Sequence, residues 1–389
     1  MKKVFLSLAI ILPVLMFAQD SSKNNFLVRT NTKLPNMEFG PGDDRLGGAK
    51  MTYLDTSILL KVVDSLGEDY IVQLSQNHKA FIQKVLVIKD SISLNKKYHL
   101  TTNWKVYGDS LYDYISVVID EHLPYRSIQQ INPTEIMVDI FGATTNTNWI
   151  TQYQSLKEIK STWYEQIEDD VMRIHIDLNH PQIWGYNISY FNDSLRIKIK
   201  RPPSKNRMIT VAIDAGHGGG NTGAEGITSH IAEKTFTLEF AKELEDELLE
   251  KGFNVFMTRT KDTGIEMADR VLMLRKEDPD LLISLHLNSS NYDSVEGTST
   301  YYRYIGFRPL TQFILKRMED LGLDDYGNIG AFNFGLSGPT EYPNCLVEIA
   351  FLSNREDEKL IMSKAFQKSV AQQIELGIED WLKDCGVEK

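Results

Sequence analysis

The chain has 389 residues, 42% of them hydrophobic and 24% charged, which is enough for two or three domains with ordinary packed cores. A formal net charge of −11 at pH 7 argues against a nucleic-acid partner, because phosphate binding needs a basic surface. The N-terminus is basic at Lys2 and Lys3, apolar from Val4 to Phe17 and small at Ala18. That order predicts a secretory signal peptide over residues 1–19, with an apolar run too short for a good transmembrane helix. No other apolar run reaches spanning length, so the expectation is an exported mature chain with no integral membrane segment, in the periplasm or cell envelope. Cys345 and Cys385 are the two cysteines. They read as buried thiols, although export would permit a disulfide.

Residues 20 to 50 are polar, with Gly40-Pro41-Gly42 and Gly47-Gly48, and are expected to form a loop-rich lead-in. Ile58–Val63, Tyr70–Leu74 and Phe81–Ile88 are β-prone, with Leu66-Gly67-Glu68-Asp69 as a turn. Short strands at this spacing predict a small β-barrel, and residues 50–92 resemble a bacterial SH3-like module; with its lead-in the unit is assigned residues 20–107. A second β-rich stretch places Ile136, Val138 and Ile140 on one face, and both Met172–Leu178 and Leu195–Lys200 alternate. Such alternation marks half-buried antiparallel strands and predicts a β-sandwich over residues 108–203. Pro202-Pro203 and the polar residues after them form a linker.

Beyond the linker the hydrophobic period changes. Strand Ile209–Ile213 leads to a helix from about Ile231 to Lys251, where Phe236, Phe240, Leu244 and Leu248 make one apolar stripe. Strand Phe253–Thr258, a helix from Ile265 to Lys276, strand Leu281–Leu285, strand Gly297–Tyr304, helix Pro309–Leu321, strand Leu346–Ile349 and helix Ala365–Leu382 follow. Alternating strands and helices predict an α/β domain over residues 204–389, a mostly parallel open sheet flanked by helices and preceded by two small all-β modules.

Ligands of open α/β sheets bind beyond the carboxyl ends of the strands. His217, His286 and Glu348 lie at or just past such ends, and Glu233 lies at the start of the helix after the first strand. Two histidines and a glutamate are a known catalytic zinc set, so His217, Glu233 and His286 are assigned as Zn²⁺ ligands. Glu348 is assigned as the general base that takes a proton from water and passes it to a leaving amine. Each residue also has a plainer reading: a histidine after a strand can be a loop cap, and a glutamate in a first helical turn suits the dipole. Glu348 resists that reading, since Leu346, Val347, Ile349 and Ala350 surround it and an unpaired buried carboxylate is costly. His230 is expected to face solvent or support the ligands from outside. Gly218-Gly219-Gly220-Asn221-Thr222-Gly223 fits the G-x-G-x-x-G pattern of dinucleotide sites. The helix starts too late for that fold, and Glu233 at its N-terminus would repel a pyrophosphate.

Together, Ile213-Asp-Ala-Gly-His-Gly-Gly219, Ala232-Glu233-Lys234, Arg270 ahead of Asp280–Asn288, and Leu346–Asn354 resemble the zinc-dependent N-acetylmuramoyl-L-alanine amidases of the LytC/AmiC type. The resemblance covers residues 207–385, and the sandwich region is similar in position and pattern to the AMIN-type modules found ahead of cell-wall amidases. It implies hydrolysis of the amide between N-acetylmuramic acid and the L-alanine of the stem peptide. It also implies one zinc at the positions of His217, Glu233 and His286, with the catalytic carboxylate at Glu348. Peptidoglycan is then the expected partner. The β modules would bind wall or localise the enzyme to a wall or divisome-type site, or act as spacers. Two alternatives stay open: a related zinc peptidase cutting within the stem, and a non-catalytic wall-binding protein. The chain departs from the family pattern twice. Asn221-Thr222-Gly223 replaces the usual Asp-Pro-Gly, and Gly335–Tyr342 lacks the arginine often found ahead of the glutamate. The interval between His286 and Glu348 is too short for a long inhibitory helix, so an open site that needs no activator is expected.

Overall fold

The computed structural model describes residues 25–42, 46–91, 99–204 and 207–387. The signal segment expected over residues 1–19 lies outside them. Among the described residues no helix is long and apolar enough to cross a membrane.

The first unit is a seven-stranded sheet of β1 (Phe26–Thr30), β2 (Asn36–Glu38), β3 (Lys50–Tyr53), β4 (Leu59–Leu66), β5 (Asp69–Gln73), β6 (Lys79–Gln83) and β7 (Val87–Lys89). Its order is β3-β2-β6-β5-β4-β1-β7, with every pairing antiparallel. The expected loop-rich lead-in is therefore corrected, because β1 and β2 come from it and β3 begins at its last residue. Strands of three to five residues are too short to show a readable alternation, and their neighbours supply the hydrogen bonds that fix them.

The second unit comprises β8 (His99–Gly108), β9 (Tyr112–Ile119), β10 (Tyr125–Ile131), β11 (Thr134–Phe141), β12 (Ala143–Thr145), β13 (Ile150–Gln152), β14 (Ile159–Glu168), β15 (Val171–Leu178), β16 (Tyr186–Phe191) and β17 (Ser194–Lys200). One sheet runs β10-β11-β15-β14 and the other β12-β8-β9-β17-β16, with β13 beside β8. In β15 the inward residues Met172, Ile174, Ile176 and Leu178 are buried and the residues between them are not, which is the alternation expected of one wet and one dry face. β8 pairs with β9 from Thr101 to Gly108, so it belongs to the sandwich and a boundary at 107/108 falls inside it. A register shift between Thr101 and Trp104 breaks the period of two that would have revealed the strand. Buried residues of both β units, from Val28 and Met37 to Ile197 and Ile199, form one continuous cluster.

The third unit is a six-stranded sheet of β18 (Thr210–Ala215), β19 (Asn254–Met257), β20 (Leu281–Asn288), β21 (Thr298–Tyr301), β22 (Asp325–Ile329) and β23 (Asn344–Phe351), in order β19-β18-β20-β23-β21-β22. Pairs β18–β19, β18–β20, β20–β23 and β21–β22 are parallel and β21–β23 is antiparallel, whereas antiparallel pairing dominates the β units. The helices are α1 (Glu233–Glu250), α2 (Met267–Glu277), α3 (Arg308–Glu319), α4 (Arg355–Ile361) and α5 (Lys364–Asp384). α1 ends ahead of Gly252 at φ 81°, and α2 ends at Asp278 in the left-handed region with Pro279 next. Asn354 caps α4 by accepting the N–H groups of Glu356 and Asp357. β22 and α4 carry no clear periodic signal and were not expected.

The alternation of the central strands sorts their side chains onto two faces. Val211, Ile213, Ala215, Leu281, Ile283, Leu285, Val347 and Ile349 join the core under α1, α3 and α5. Ala212 and Leu282 face α2, through Val271 and Leu274. Asp214, Ser284, His286 and Glu348 lie on this second face by the same period of two.

Candidate functional site

β18 ends at Ala215, and the chain turns at once through Gly216 and His217, the latter at φ 62°. Gly216 is required by contact, since a Cβ there would stand 2.5–2.7 Å from the His286 ring. Gly223 is required twice: its φ is 69°, and a Cβ would fall 2.4 Å from Glu233 Oε2. The glycine loop thus lays its backbone directly against the side chains of His286 and Glu233.

His217 Nε2 lies 3.0 Å from Glu233 Oε1, and His286 Nδ1 lies 3.2 Å from both Glu233 Oε1 and His217 Nε2. These three residues form the one such cluster found among the described residues. Asn221 Oδ1 accepts the Gly223 N–H at 3.3 Å and lies 2.9 Å from His217 Nδ1. An oxygen already accepting from a backbone N–H accepts from the imidazole too, so Nδ1 carries the proton and Nε2 turns its lone pair to the centre.

Glu233 is buried and accepts the N–H of Ala224 at 2.9 Å and that of Leu287 at 3.0 Å. Burial pushes its pKa up, but hydrogen bonds and charge from His217 and His286 outweigh this and hold the carboxyl well below the usual range. Burial lowers the His286 pKa, and the hydrogen bond to Glu233 with the charges of Glu348, Glu233 and Asp214 raises it overall. Three electron-pair donors facing one point repel one another unless a cation or shared protons sit among them. Ligands held about 2.0–2.1 Å from a tetrahedral centre stand about 3.3–3.4 Å apart, and these three fit a zinc on spacing, on donor type and on the supported His217 tautomer.

Glu348 on β23 is the register partner of His286 and, across the other edge, of Ser299. It is half-buried, on the His286 face of the sheet, and its charge adds to the Glu233 hydrogen bond in raising the pKa of His286 and to burial in raising that of Tyr301. A cleft of about 420 Å³ opens over the cluster, walled by the glycine loop, by Ile265 to Met267 and by Phe334.

Beneath the centre lies support that the sequence pattern only half revealed. Asp214 accepts from Thr258 and Ser284 hydroxyls, each at 2.7 Å, and from Arg270 Nη1 at 2.5 Å. Arg270 also donates to the carbonyls of Ala215 and His217. Arg259 donates to the carbonyls of Ala215, at 2.8 Å, and Gly216, at 2.8 Å. Two buried guanidiniums therefore fix the turn that carries His217. An aspartate inside the apolar run Val211–Ala215 was the available signal for Asp214; Arg259 had none. His230 is exposed and stands outside the cluster, and Cys345 and Cys385 are both free thiols.

Residues 211–380 match the family model described as N-acetylmuramoyl-L-alanine amidase. The chain belongs to the N-acetylmuramoyl-L-alanine amidase family. It is 24% identical over 370 residues to N-acetylmuramoyl-L-alanine amidase AmiC of Neisseria meningitidis serogroup B, covering 72% of this chain and 89% of that protein. It is 27% identical over 197 residues to a protein of Staphylococcus aureus named probable cell wall amidase LytH, covering 50% of this chain and 64% of that one. Among solved structures it is similar to the catalytic domain of the amidase CwlV from Bacillus (Paenibacillus) polymyxa var. colistinus, at 35% identity and a TM-score of 0.44 over 45% of this chain and 99% of that one. The matched segment contains His217, Glu233, His286 and Glu348 and excludes the two β units.

Proposed function

We propose that this amidase-family protein is an exported peptidoglycan hydrolase that cuts the amide between the lactyl group of N-acetylmuramic acid and the L-alanine of the stem peptide. The observation that carries the proposal is the convergence of His217 Nε2, Glu233 Oε1 and His286 Nδ1 at 3.0–3.2 Å, with Glu348 in register beside His286. His217, Glu233 and His286 are the residues that would hold Zn²⁺. Zinc in such a site supplies Lewis acidity and a lowered water pKa of about 7.

Glu348 holds and moves the proton. Its carboxylate takes it from the attacking water as the new C–O bond forms, and returns it to the nitrogen as the C–N bond breaks. The L-alanine amine then departs neutral, and the muramic acid side leaves as a carboxylic acid whose remaining proton passes to the amine or to solvent. Proton transfer of this kind contributes about 10²–10⁴-fold in rate. The buried Asp214–Arg270 pair and Arg259 keep the His217 turn in place through each cycle, so little reorganisation is left for the chemical step.

Export rests on the residue pattern of the first nineteen positions. In the proposed organisation the two β units bind wall or localise the enzyme, and the cleft needs no activator, since α3, which lies between His286 and Glu348 in the chain, packs into the core through Leu310, Ile314 and Met318. The test is digestion of purified peptidoglycan by wild type and Glu348→Ala, with metal content measured on both. The expected result is free stem peptides beginning at L-alanine from wild type, and Glu348→Ala that keeps zinc but loses at least about 10²-fold in rate. Loss of zinc from Glu348→Ala would make Glu348 a ligand and leave the base unassigned.

A further inference from the structure

One wall of the cleft is anchored from outside the α/β unit. Phe334 stands edge-on to His286, ring centroids 5.5 Å apart, and lines the cleft together with Ile265 and Met267. Its backbone belongs to the irregular segment between β22 and β23, in which Ala331 takes φ 55°. The preceding residue, Asn333, is bound chiefly to the first β unit. Its Nδ2 donates to the carbonyls of Gly48 at 2.8 Å, Leu46 at 3.3 Å and Gly47 at 3.4 Å, and its Oδ1 accepts the Lys50 N–H at 3.0 Å. Arg303 closes the same knot, donating to Asn333 Oδ1 at 3.1 Å and to the Lys50 carbonyl. On the other side of Phe334, the Gly335 carbonyl accepts from the Tyr53 hydroxyl at 3.0 Å. Leu34 packs with Leu336 and Tyr342. The residues flanking Phe334 on both sides are therefore held by Leu34 and by Leu46 to Tyr53, residues distant in sequence.

We infer that Leu34 and the stretch Leu46 to Tyr53 are a built part of the catalytic cleft: through Asn333 and Gly335 they position Phe334 as the apolar wall that the substrate touches beside His286. This rests on the amidase reading above. The groups flanking the scissile amide in that substrate are the lactyl and L-alanine methyls, which gain from contact with a half-buried phenyl ring. Phe334 acts on substrate binding directly, and Asn333 and Tyr53 are positioning residues. Contact that holds ground state and transition state alike changes KM and leaves kcat, which separates this role from one in the proton chemistry.

The test uses the full-length, zinc-loaded chain on a soluble N-acetylmuramyl-peptide, comparing wild type with Phe334→Ala, Asn333→Ala and Tyr53→Phe. Phe334→Ala and Asn333→Ala should each raise KM roughly tenfold, equivalent to about 1.4 kcal/mol, with kcat within about twofold and zinc content unchanged. Tyr53→Phe keeps the ring and loses one hydrogen bond, so a rise of about twofold to threefold is expected. It tests the inference from the β unit's side should Asn333→Ala fail to fold. Wild-type kinetics in both Asn333→Ala and Tyr53→Phe, beside a raised KM in Phe334→Ala, would overturn the inference, because the α/β unit alone would then set the wall. A fall in kcat at constant KM would overturn it too. A wild-type chain that holds zinc yet cleaves no muramyl-peptide would remove the amidase reading instead. The dissociation constant of the same peptide across the same variants then decides the inference.

Discussion

Two regions of the molecule bury a glutamate against histidine, and the two carboxyls end on opposite sides of their ordinary range. In the sandwich Glu158 is 1% exposed, with Oε2 2.5 Å from His180 Nδ1. Burial pushes its pKa up to about 7, and the His180 hydrogen bond and charge offset only part of that. In the α/β unit Glu233 is 4% exposed and is nonetheless held well below the carboxylate range. The difference lies in what faces each group. Glu233 accepts two backbone N–H groups and faces two imidazoles, while Glu158 meets a single exposed histidine and one long N–H contact at 3.4 Å. Burial alone therefore makes a proton acceptor, and convergent donors are needed to keep an interior carboxylate charged. Only the second kind of site suits a cation.

The comparison predicts that damage beneath Glu233 and His217 costs most. Arg270→Ala leaves Asp214, 1% exposed, without the guanidinium that holds its pKa down against burial. The expected loss of folding stability is about 3–5 kcal/mol, read by urea denaturation. A loss below about 1 kcal/mol would mean that the hydroxyls of Thr258 and Ser284 suffice for Asp214. A smaller effect is expected from Asn221→Ala, which frees His217 to choose either tautomer. Zinc affinity, measured by chelator competition, should fall about 10–100-fold with the fold intact. Asn221→Asp restores the acid usual in the family and should tighten binding relative to wild type, since a carboxylate makes the imidazole more basic. Equal affinity in all three proteins would assign the tautomer to something other than residue 221.

How much of this was legible depended on the length of each signal. His217, His286 and Glu348 stood out because β18, β20 and β23 are apolar runs that make a lone polar residue conspicuous, and Glu233 stood out at the start of α1. The stripe of α1 announced that helix in the same way. What supports the site was less visible. Asp214, Thr258, Ser284 and the two arginines are joined only by folding, across β18, β19, β20 and α2, and no local period links them. β1, β2 and β3 were hidden by their shortness, and β8 by the register shift near Trp104. The contact of Asn333 with Leu46 to Lys50 was out of reach for both reasons, since it joins an irregular segment to a lead-in read as loop. The two departures from the family pattern also prove unlike one another. Asn221 still accepts hydrogen bonds where the aspartate would, whereas the stretch without the arginine, Gly335–Tyr342, is where the first β unit docks.

The smallest expected effect tests the other half of the comparison. A carboxyl whose folded pKa is raised from 4.5 to about 7 binds more protons in the native state than in the unfolded state across that interval. Stability should therefore fall as pH rises from about 4.5 to about 7, and remain lower above it. Glu158→Gln removes the titration while keeping size and an acceptor for His180. The variant should gain stability over wild type at pH 8 and none at pH 4.5, followed as the difference in thermal midpoint between the two pH values. Zinc content and peptidoglycan cleavage should not change, because His180 and Glu158 lie by the linker, beside Lys200 and Arg207 and away from the cleft over His217. A Glu158→Gln chain less stable than wild type at pH 8 would show that the His180–Glu158 pair is a net stabilising ion pair. The sandwich carboxyl would then belong with Glu233, and the contrast between the two carboxyls would fail.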